Sequence, residues 1–520
     1  MAGGIVLQPS GGLHDAPTEG SRAYAIAVCL FASIGGVFFG YDQGVTGGVL
    51  VMDSYIEDFC IGYDGNTREQ CYAATADLPD SWTTFTTVYN VLYYVGCIAG
   101  AYVGGVIVDK FGRRATIFNS GVLFSIGTIM LVLANKGNHT LVYFARWIQG
   151  MGVGNSSFAI PLFGAEMAPK ELRGMLSGFM QMTVVTGILI AGLVNYAVKD
   201  FAGGWRTTNA IAMVFTIIVM AGIFCMPESP RWTYKVKGRD EAEAVLKRLR
   251  RTDNVGIELQ AIGDALEEEG HDRASWSDLW HPSIRPRLIM ACSLQLLQQA
   301  SGINPIFTYG GQIFQDIVPG GGIVSLLILQ IVNFVSTIPA MYLVDKVGRR
   351  NLLLFGAAGM VVGQLVTAIA FSAGCHGNTD NADCNTGAAW TMVVFCAFYI
   401  FNFAISWGPI CWVYAAEIFP LHLRAKAVSA STMCNWCMGS LMIGIPKLFP
   451  YLNINGVFFL FSALCVVAYV FVYFKCPETK GVLLEDVEHL FAKGVPARHA
   501  RKMLDAQSAK YLEATTPKEA

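Results

Sequence analysis

Long apolar runs alternate with short polar connections along most of the chain. A window of about 20 apolar residues is long enough to cross a bilayer as a helix. We predict such helices at 24–50, 84–108, 115–135, 141–162, 172–197, 205–226, 287–314, 321–344, 352–373, 388–417, 424–447 and 455–475. The first run is too long for a cleaved signal segment, so we expect it to remain as a span. The pattern predicts an all-α membrane protein with twelve transmembrane helices.

Lysine and arginine are concentrated in one set of connections. The connection after the second span holds Lys110, Arg113 and Arg114, whereas the segment 52–83 holds only Arg68. The segment 374–387 has neither lysine nor arginine. Because cytoplasmic connections carry the excess of positive charge, both chain termini are predicted to be cytoplasmic.

The chain repeats itself after its sixth span. The pattern Asp-Lys-x-Gly-Arg-Arg occurs at 109–114 and at 345–350, and Pro-Glu occurs at the start of both 227–231 and 477–481. Two parallel halves related by an axis along the membrane normal are expected from such a repeat. The predicted domains are an N-terminal tail at 1–21, six spans at 22–227 with an outer lid at 52–83, a helical linker at 228–286, six spans at 287–476 and a tail at 477–520. The linker, with its alternating charges, and both tails are predicted to lie in the cytoplasm.

Composition narrows the class of protein further. Hydrophobic residues make up 53% of the chain and charged residues 14%, with a net charge of −2. This balance gives no reason to expect a nucleic-acid partner. The sequence has no Gly-x4-Gly-Lys-Ser/Thr loop for ATP and no histidines at metal-binding spacing, so we expect no cofactor, no metal and no enzymatic activity.

Repeated charges lie at the predicted cytoplasmic ends of the spans. Pairs of carboxylates and arginines there can hold the two halves together on the inside and separate when the halves rock. The alternative is that these charges only set the membrane topology. The predicted inner-gate residues are Asp109, Arg113, Glu166, Arg173, Glu228, Arg231, Arg349, Glu417, Arg424 and Glu478.

Six motifs stand out along the chain, at 105–114, 161–174, 227–231, Gln298 to Asn304, Trp407-Gly408-Pro409 and 477–481. Together they resemble the sugar porter family of the major facilitator superfamily, over about residues 30 to 490. The resemblance is closest to the monosaccharide–proton symporters of fungi and plants. It implies the two-half fold, a plasma-membrane location and a chain that works as a monomer in the lipid bilayer.

Neutral amides lie within the predicted spans of both halves. An amide both donates and accepts hydrogen bonds, as a sugar hydroxyl does. The resemblance places a sugar site at these positions; the alternative is that the amides join neighbouring helices. We expect Trp412 to stack on a sugar ring after the Gly408-Pro409 interruption, and span seven to break near Ser301-Gly302. The predicted substrate-binding residues are Gln181, Gln298, Gln299, Asn304, Asn333, Gly408, Trp412 and Asn435.

An acidic and a basic residue lie within the predicted spans, away from the span ends. Asp42 lies in the first span and Arg146 in the fourth. A charge at such a position is costly and indicates function, and an ionised Asp42 can hold Arg146 while a protonated one releases it. Resemblance to the plant symporters supports proton coupling through this pair, whereas the alternative is a static structural pair.

Two outer segments contain cysteines that can oxidise outside the cell. Cys60 and Cys71 lie in the first segment, and Cys375 and Cys384 in the second. Pairing within each segment is the simplest arrangement, but a bridge from the first segment to the C-terminal half stays open.

The sequence therefore favours secondary uptake of a monosaccharide, a hexose such as glucose, together with a proton. A facilitative hexose carrier without ion coupling is the next hypothesis. A sugar sensor that does not transport is a third, and the short segment after Gly481 argues against it.

Overall fold

The computed structural model describes residues 21–73, 77–168, 173–268, 275–315, 321–375, 385–480 and 490–491. Cys384 lies outside these residues, as do most of both predicted tails. The helices are α1 Arg22–Ser33, α2 Gly35–Val49, α3 Asp53–Phe59, α4 Arg68–Cys71, α5 Asp80–Phe111, α6 Arg113–Val132, α7 His139–Met167, α8 Arg173–Val198, α9 Gly204–Ile223, α10 Pro230–Lys237, α11 Arg239–Arg250, α12 Gly256–Glu268, α13 Arg285–Ala300, α14 Ile303–Gln315, α15 Gly321–Val347, α16 Arg349–Gly374, α17 Thr386–Ile405, α18 Trp407–Glu417, α19 Leu421–Met442 and α20 Phe449–Lys475.

The twelve predicted spans are present in the order expected. Nine are single helices, and three are pairs of helices broken inside the membrane: α1 with α2, α13 with α14 and α17 with α18. We call α1–α9 the N-terminal half and α13–α20 the C-terminal half. The end of the bundle with residues 109–114 and 345–350 is the motif end, and the end with α3 and α4 is the loop end.

Local sequence explains where the spans break. Gly302, between α13 and α14, has a φ of +90°, which favours glycine. Pro305 and Pro409 lie in the first turns of α14 and α18. Proline is tolerated there because a first-turn N–H has no partner in the helix. The break expected near Ser301-Gly302 is therefore present.

Hydropathy alone does not find every span. Within the described residues, nine helical stretches are long and apolar enough to cross a membrane. The three spans that fall short are α7, the α13–α14 pair and α19. These three carry the buried polar residues Arg146, Gln298 and Asn435, which belong to the candidate sites.

Helices of the N-terminal half approach one another closely at glycines. A Cβ added to Gly100 of α5 would lie 2.2 Å from the Met151 carbonyl oxygen of α7. A Cβ on Gly154 of α7 would likewise lie 2.1 Å from the Cys97 oxygen of α5. Small residues of this kind let membrane helices pack backbone to backbone.

The linker helices are fastened to the motif end. Arg250 of α11 is 3% exposed and pairs with Glu258 of α12 through two nitrogens, at 2.7 and 3.0 Å. Its Nη1 donates to the Met167 carbonyl oxygen at the end of α7, at 3.1 Å. Trp276 stacks on Tyr102 of α5, with ring centroids 5.6 Å apart. The linker thus contacts the ends of two spans in the N-terminal half.

Candidate functional site

Five amide side chains of the C-terminal half form one continuous hydrogen-bonded cluster, which we call the amide cluster: Gln295, Gln298, Gln299, Asn304 and Asn435. Asn435 of α19 lies at its centre, and its Nδ2 donates to Oε1 of both Gln295 and Gln298 at 2.7 Å. Gln299 Nε2 donates to Asn435 Oδ1 at 2.8 Å. Asn304 Nδ2 then donates to Gln299 Oε1 at 2.6 Å. The neighbouring Gln298 and Gln299 are therefore linked through Asn435. Both belong to α13, the continuous helix that precedes the break in span seven.

Backbone carbonyls set the direction of this cluster. Gln298 Nε2 donates to the Trp407 oxygen at 2.8 Å, and Gln295 Nε2 donates to the Cys411 oxygen at 3.4 Å. With both nitrogens used, both Oε1 atoms must face Asn435, so its Nδ2 faces them and its Oδ1 faces Gln299. Backbone carbonyls of α18 therefore orient the amides of α13 and, through them, Asn435 of α19.

Polar groups of both halves meet beside the amide cluster. A Cβ added to Gly408 of α18 would lie 3.6 Å from Nε2 of Gln181 on α8. Trp412, partly buried, follows Gly408 by four residues and so shares its face of α18. Asn333 of α15 is 5% exposed. Gln181 therefore approaches the C-terminal half directly, as a binding site between the halves requires.

Trp436 adds a hydrogen-bond donor that the sequence analysis did not include. Its ring lies 5.7 Å from that of Phe39 on α2 and 5.8 Å from that of Tyr94 on α5. Its indole Nε1 is buried and has no partner among the described residues. A buried donor without a partner is costly, which is consistent with a place for a ligand hydroxyl.

A buried ion pair lies within the N-terminal half. Arg146 Nη1 donates to Asp42 Oδ1 at 2.8 Å, and each side chain is 2% exposed. Arg146 also donates to Gln149 at 3.1 Å and lies 4.6 and 4.4 Å from the ring centres of Tyr89 and Tyr93. Asp42 Oδ2 is buried without a partner among the described residues. Arg146 thus has several other supports, whereas one oxygen of Asp42 has none.

Aromatic rings connect the ion pair with the amide cluster. Gln43, next to Asp42, donates to the Tyr93 hydroxyl at 2.9 Å. The rings of Tyr93 and Tyr94 are 5.5 Å apart. A Cβ on Gly439 would lie 2.7 Å from the Tyr94 ring and 3.7 Å from Gln299 Cδ. The two sites are therefore joined by packed side chains.

Charged pairs at the motif end repeat in the two halves. Arg113 binds Glu166 through Nε and Nη2, both at 2.7 Å. Arg349 binds Glu417 in the same way, at 3.2 and 2.7 Å. Each of these pairs joins helices within one half, rather than joining the two halves as the sequence analysis expected.

Two further glutamates hold helix N-termini at the motif end. Glu228 accepts from the backbone nitrogens of Arg113 and Arg114, both at 3.2 Å. Glu478 accepts from those of Arg349 and Arg350, at 2.9 and 3.1 Å. A carboxylate is favourable there because it satisfies free N–H groups and the helix dipole. Burial raises the pKa of Glu228, and the backbone donors oppose that rise.

Contacts between the halves use one predicted gate residue, Asp109, together with residues that were not predicted. Asp109 of α5 pairs with Lys426 of α19 at the motif end. Ser429 Oγ donates to the Ala101 oxygen at 3.0 Å on the same side. At the loop end, Lys447 pairs with Asp80 at 2.5 Å. Lys426 was not predicted as a gate residue because its partner is 317 positions away.

The remaining predicted gate arginines are less informative. Arg424 donates to the Phe419 carbonyl oxygen at 3.4 and 3.1 Å, and it has further interactions. Arg231 is partly buried at the start of α10. Arg173 begins α8, but its side chain lies outside what the structure describes.

The outer segment is anchored to the N-terminal half. Cys60 and Cys71 form a disulfide within it, with Cα atoms 6.0 Å apart. Asp58 accepts from Trp205 Nε1 at 3.0 Å and from Arg206 Nη1 at 2.7 Å. Cys375 is also disulfide-bonded.

Metal binding has no support in the described part of the chain, where no three His, Cys, Asp or Glu side chains are grouped to hold an ion.

Gln295 is a second member of the site that was not predicted from the sequence. It precedes Gln298 and Gln299 by three and four residues, so helical spacing was a signal that could have found it.

Comparisons with known proteins agree with this geometry. A family model described as sugar (and other) transporter matches residues 28–491. Sugar transport protein MST8 of Oryza sativa subsp. japonica is 33% identical over 499 residues, covering 95% of this chain and 96% of its own. H(+)/hexose cotransporter 2 of Parachlorella kessleri is 33% identical over 483 residues, covering 91% and 88%.

A solved structure supports the same conclusion. The proton:xylose symporter XylE of E. coli, bound to 6-bromo-6-deoxy-D-glucose, is 26% identical with a TM-score of 0.75. The match covers 90% of this chain and 99% of that one. These relatives are named as transporters rather than enzymes, and the structural match extends over both halves of this chain. The chain therefore belongs to the sugar transporter family of the major facilitator superfamily and is a multi-pass membrane carrier of sugars.

Proposed function

We propose that this carrier moves a monosaccharide, a hexose such as glucose, into the cell together with a proton. The amide cluster and Gln181 would bind the sugar, and Asp42 would carry the proton. The motif end would face the cytoplasm, with both termini inside and the carrier in the plasma membrane as a monomer. The observation that supports proton coupling most directly is the Asp42–Arg146 pair, in which each side chain is only 2% exposed.

Protonation would act by changing the charge on Asp42. A neutral Asp42 attracts Arg146 less strongly than an ionised one. The charge of Arg146 would still be stabilised by its hydrogen bond to Gln149 and by the two aromatic rings beside it. The proton would add at Oδ2, the oxygen without a partner among the described residues. Release of Arg146 would free α2 to shift relative to α7.

A shift of α2 would be felt at the sugar. Phe39 lies one turn before Asp42 on α2 and contacts Trp436, which follows Asn435. The Tyr93–Tyr94 rings give a second route to Gln299. The proton site in one half would thereby bias the geometry of the sugar site in the other.

Alternating access would break one set of contacts between halves at a time. Opening the loop end requires Lys447 to leave Asp80, and opening the motif end requires Lys426 to leave Asp109. The amide cluster would then meet water on one side only. The two names XylE and hexose cotransporter support proton coupling because both describe proton-driven carriers.

Purified protein in proteoliposomes tests the proposal. With an inward proton gradient, the unaltered chain should accumulate labelled glucose, and an uncoupler should abolish the accumulation. Asp42→Asn should lose accumulation but retain exchange of sugar across the bilayer. Asp64→Asn is the matched control, because Asp64 is exposed in the outer segment with a φ of 51° that asparagine tolerates.

Each alternative has its own outcome in this assay. Uptake that stops at equal concentrations and ignores the uncoupler indicates a facilitative carrier. Sugar binding without any uptake indicates a sensor. Competition by unlabelled galactose, mannose, fructose and xylose identifies the preferred sugar.

A further inference from the structure

One buried amide crosses from the C-terminal half into the N-terminal half. Gln330 of α15 is 1% exposed, and its Nε2 donates to the Gly44 carbonyl oxygen of α2 at 3.4 Å. Gln330 is separate from the amide cluster, and neither the sequence analysis nor the proposed mechanism uses it.

Glycines of the other half make room for this side chain. A Cβ on Gly192 of α8 would lie only 1.7 Å from Gln330 Oε1. A Cβ on Gly44 would lie 2.7 Å from the Ile188 carbonyl oxygen, so α2 and α8 are in close contact there. Gln330 therefore inserts into a slot between two helices of the N-terminal half, and any larger residue at 192 would close it.

Packing alone does not account for an amide at this position. Gln330 Oε1 is buried and has no hydrogen-bond partner among the described residues. A buried acceptor without a donor is unfavourable, and a methionine would fill the slot without that cost. The hydrogen bond to Gly44 is therefore what this amide provides and an apolar side chain of similar size would not.

Gly44 lies two residues beyond Asp42 on α2. Two residues along a helix are about 200° apart, so Asp42 and Gly44 face opposite sides of α2. The charged and titratable groups that interact with Asp42 are Arg146 of α7 and, on α5, Tyr89, Tyr93, Tyr94 and Cys97. On its other side, α2 meets neutral groups: Val184 and Ile188 of α8, and Gln330 of α15. Any movement of α2 driven by Asp42 and Arg146 must therefore displace the carbonyl that Gln330 binds.

We propose that Gln330 is a positioning residue that docks the C-terminal half on the helix carrying Asp42 and so transmits the state of the Asp42–Arg146 pair to the other half. This inference rests on the proton coupling proposed above. Gln330 does not touch the sugar in this scheme. Its loss should therefore alter the response of transport to protons more than the binding of sugar.

Transport kinetics at acidic and neutral pH test this role. In the unaltered carrier, KM for sugar should be lower at acidic pH. The ratio of KM at neutral pH to KM at acidic pH is therefore above one. In Gln330→Met this ratio should decrease towards one by roughly 2- to 10-fold, the range expected for one lost buried hydrogen bond. Gly192→Ala should do the same, because it closes the slot from the opposite half. Ser325→Ala is the matched control on α15, since its buried hydroxyl donates to the Gly321 carbonyl oxygen of its own helix.

The possible results separate the two proposals. If the unaltered carrier shows no accumulation that an uncoupler abolishes, proton coupling is wrong and the role of Gln330 fails with it; if it accumulates sugar but its KM does not depend on pH, the role of Gln330 alone is wrong. If the unaltered carrier is pH-dependent but both variants keep its full ratio, the role of Gln330 alone is wrong. Should Gln330→Met not yield folded protein, Gly192→Ala decides the question. Equilibrium sugar binding that collapses in both variants at every pH would also overturn the inference, because it would place Gln330 in the sugar site.

Discussion

Replacing Asn435 by leucine removes the centre of the amide cluster while nearly keeping the side-chain volume. Three amide groups lose their partner: Oε1 of Gln295, Oε1 of Gln298 and Nε2 of Gln299. Gln295 and Gln298 cannot turn their oxygens elsewhere, because their side-chain nitrogens donate to backbone carbonyls of α18. All three groups are therefore left buried and unsatisfied.

The magnitude follows from counting these groups. Hydrogen bonds between membrane helices average about 0.6 kcal/mol, so three of them give a lower bound of about 2 kcal/mol. If each orphaned group instead bears a desolvation cost of about 2 kcal/mol, the total rises to roughly 6 kcal/mol. Sugar affinity should fall as well, by about tenfold or more, because about 1.4 kcal/mol of lost orientation suffices for that.

Thermal unfolding of the purified carrier and calorimetric titration with glucose measure the two effects. Asn455→Leu provides the control, because Asn455 of α20 makes a single side-chain bond to another helix, to Ser372 at 2.9 Å. Asn435→Leu should lower Tm clearly more than the control does and should weaken binding, whereas Asn455→Leu should leave binding unchanged. Equal effects of the two substitutions would refute the directed amide cluster as the core of the sugar site.

Three further predictions concern parts of the chain outside the membrane. Because burial raises the pKa of Glu228, the stability that this group contributes is present at low pH and is lost as the pH rises through the folded-state pKa. In Glu228→Gln, the part of the change in Tm between about pH 4 and about pH 7 that comes from this group should therefore disappear. Cys60→Ser opens a loop of sequence separation 11 and should cost about 2–3 kcal/mol, seen as faster proteolysis of the outer segment that a reductant reproduces in the unaltered chain. Arg250→Met loses the pair with Glu258 and should destabilise the linker by about 1–3 kcal/mol, seen as cleavage between α11 and α12; unchanged cleavage would contradict it.

The sequence by itself determined the number and order of the spans, which the helices confirm, whereas their sidedness stays a prediction from the same local properties. Hydropathy and the distribution of Lys and Arg act within single segments, so no contact has to be known. The break at Gly302 is also local, because it follows from backbone preferences of glycine and of Pro305. The same holds for the residue types of the candidate site, since Asp42, Arg146 and Gln299 stand out wherever an apolar run contains them.

Tertiary structure alone decided which of these residues meet. The sequence placed Arg113 at a gate between halves, yet it binds Glu166 inside its own half, while Lys426 reaches Asp109 across the halves. In the sequence, Gln330 is one polar residue within an apolar run. Only the folded chain brings Gly44 and Gly192 of the other half into contact with it. Such contacts depend on how each helix is rotated and how closely its backbone approaches the next, and those quantities are set by the packing of all the spans together.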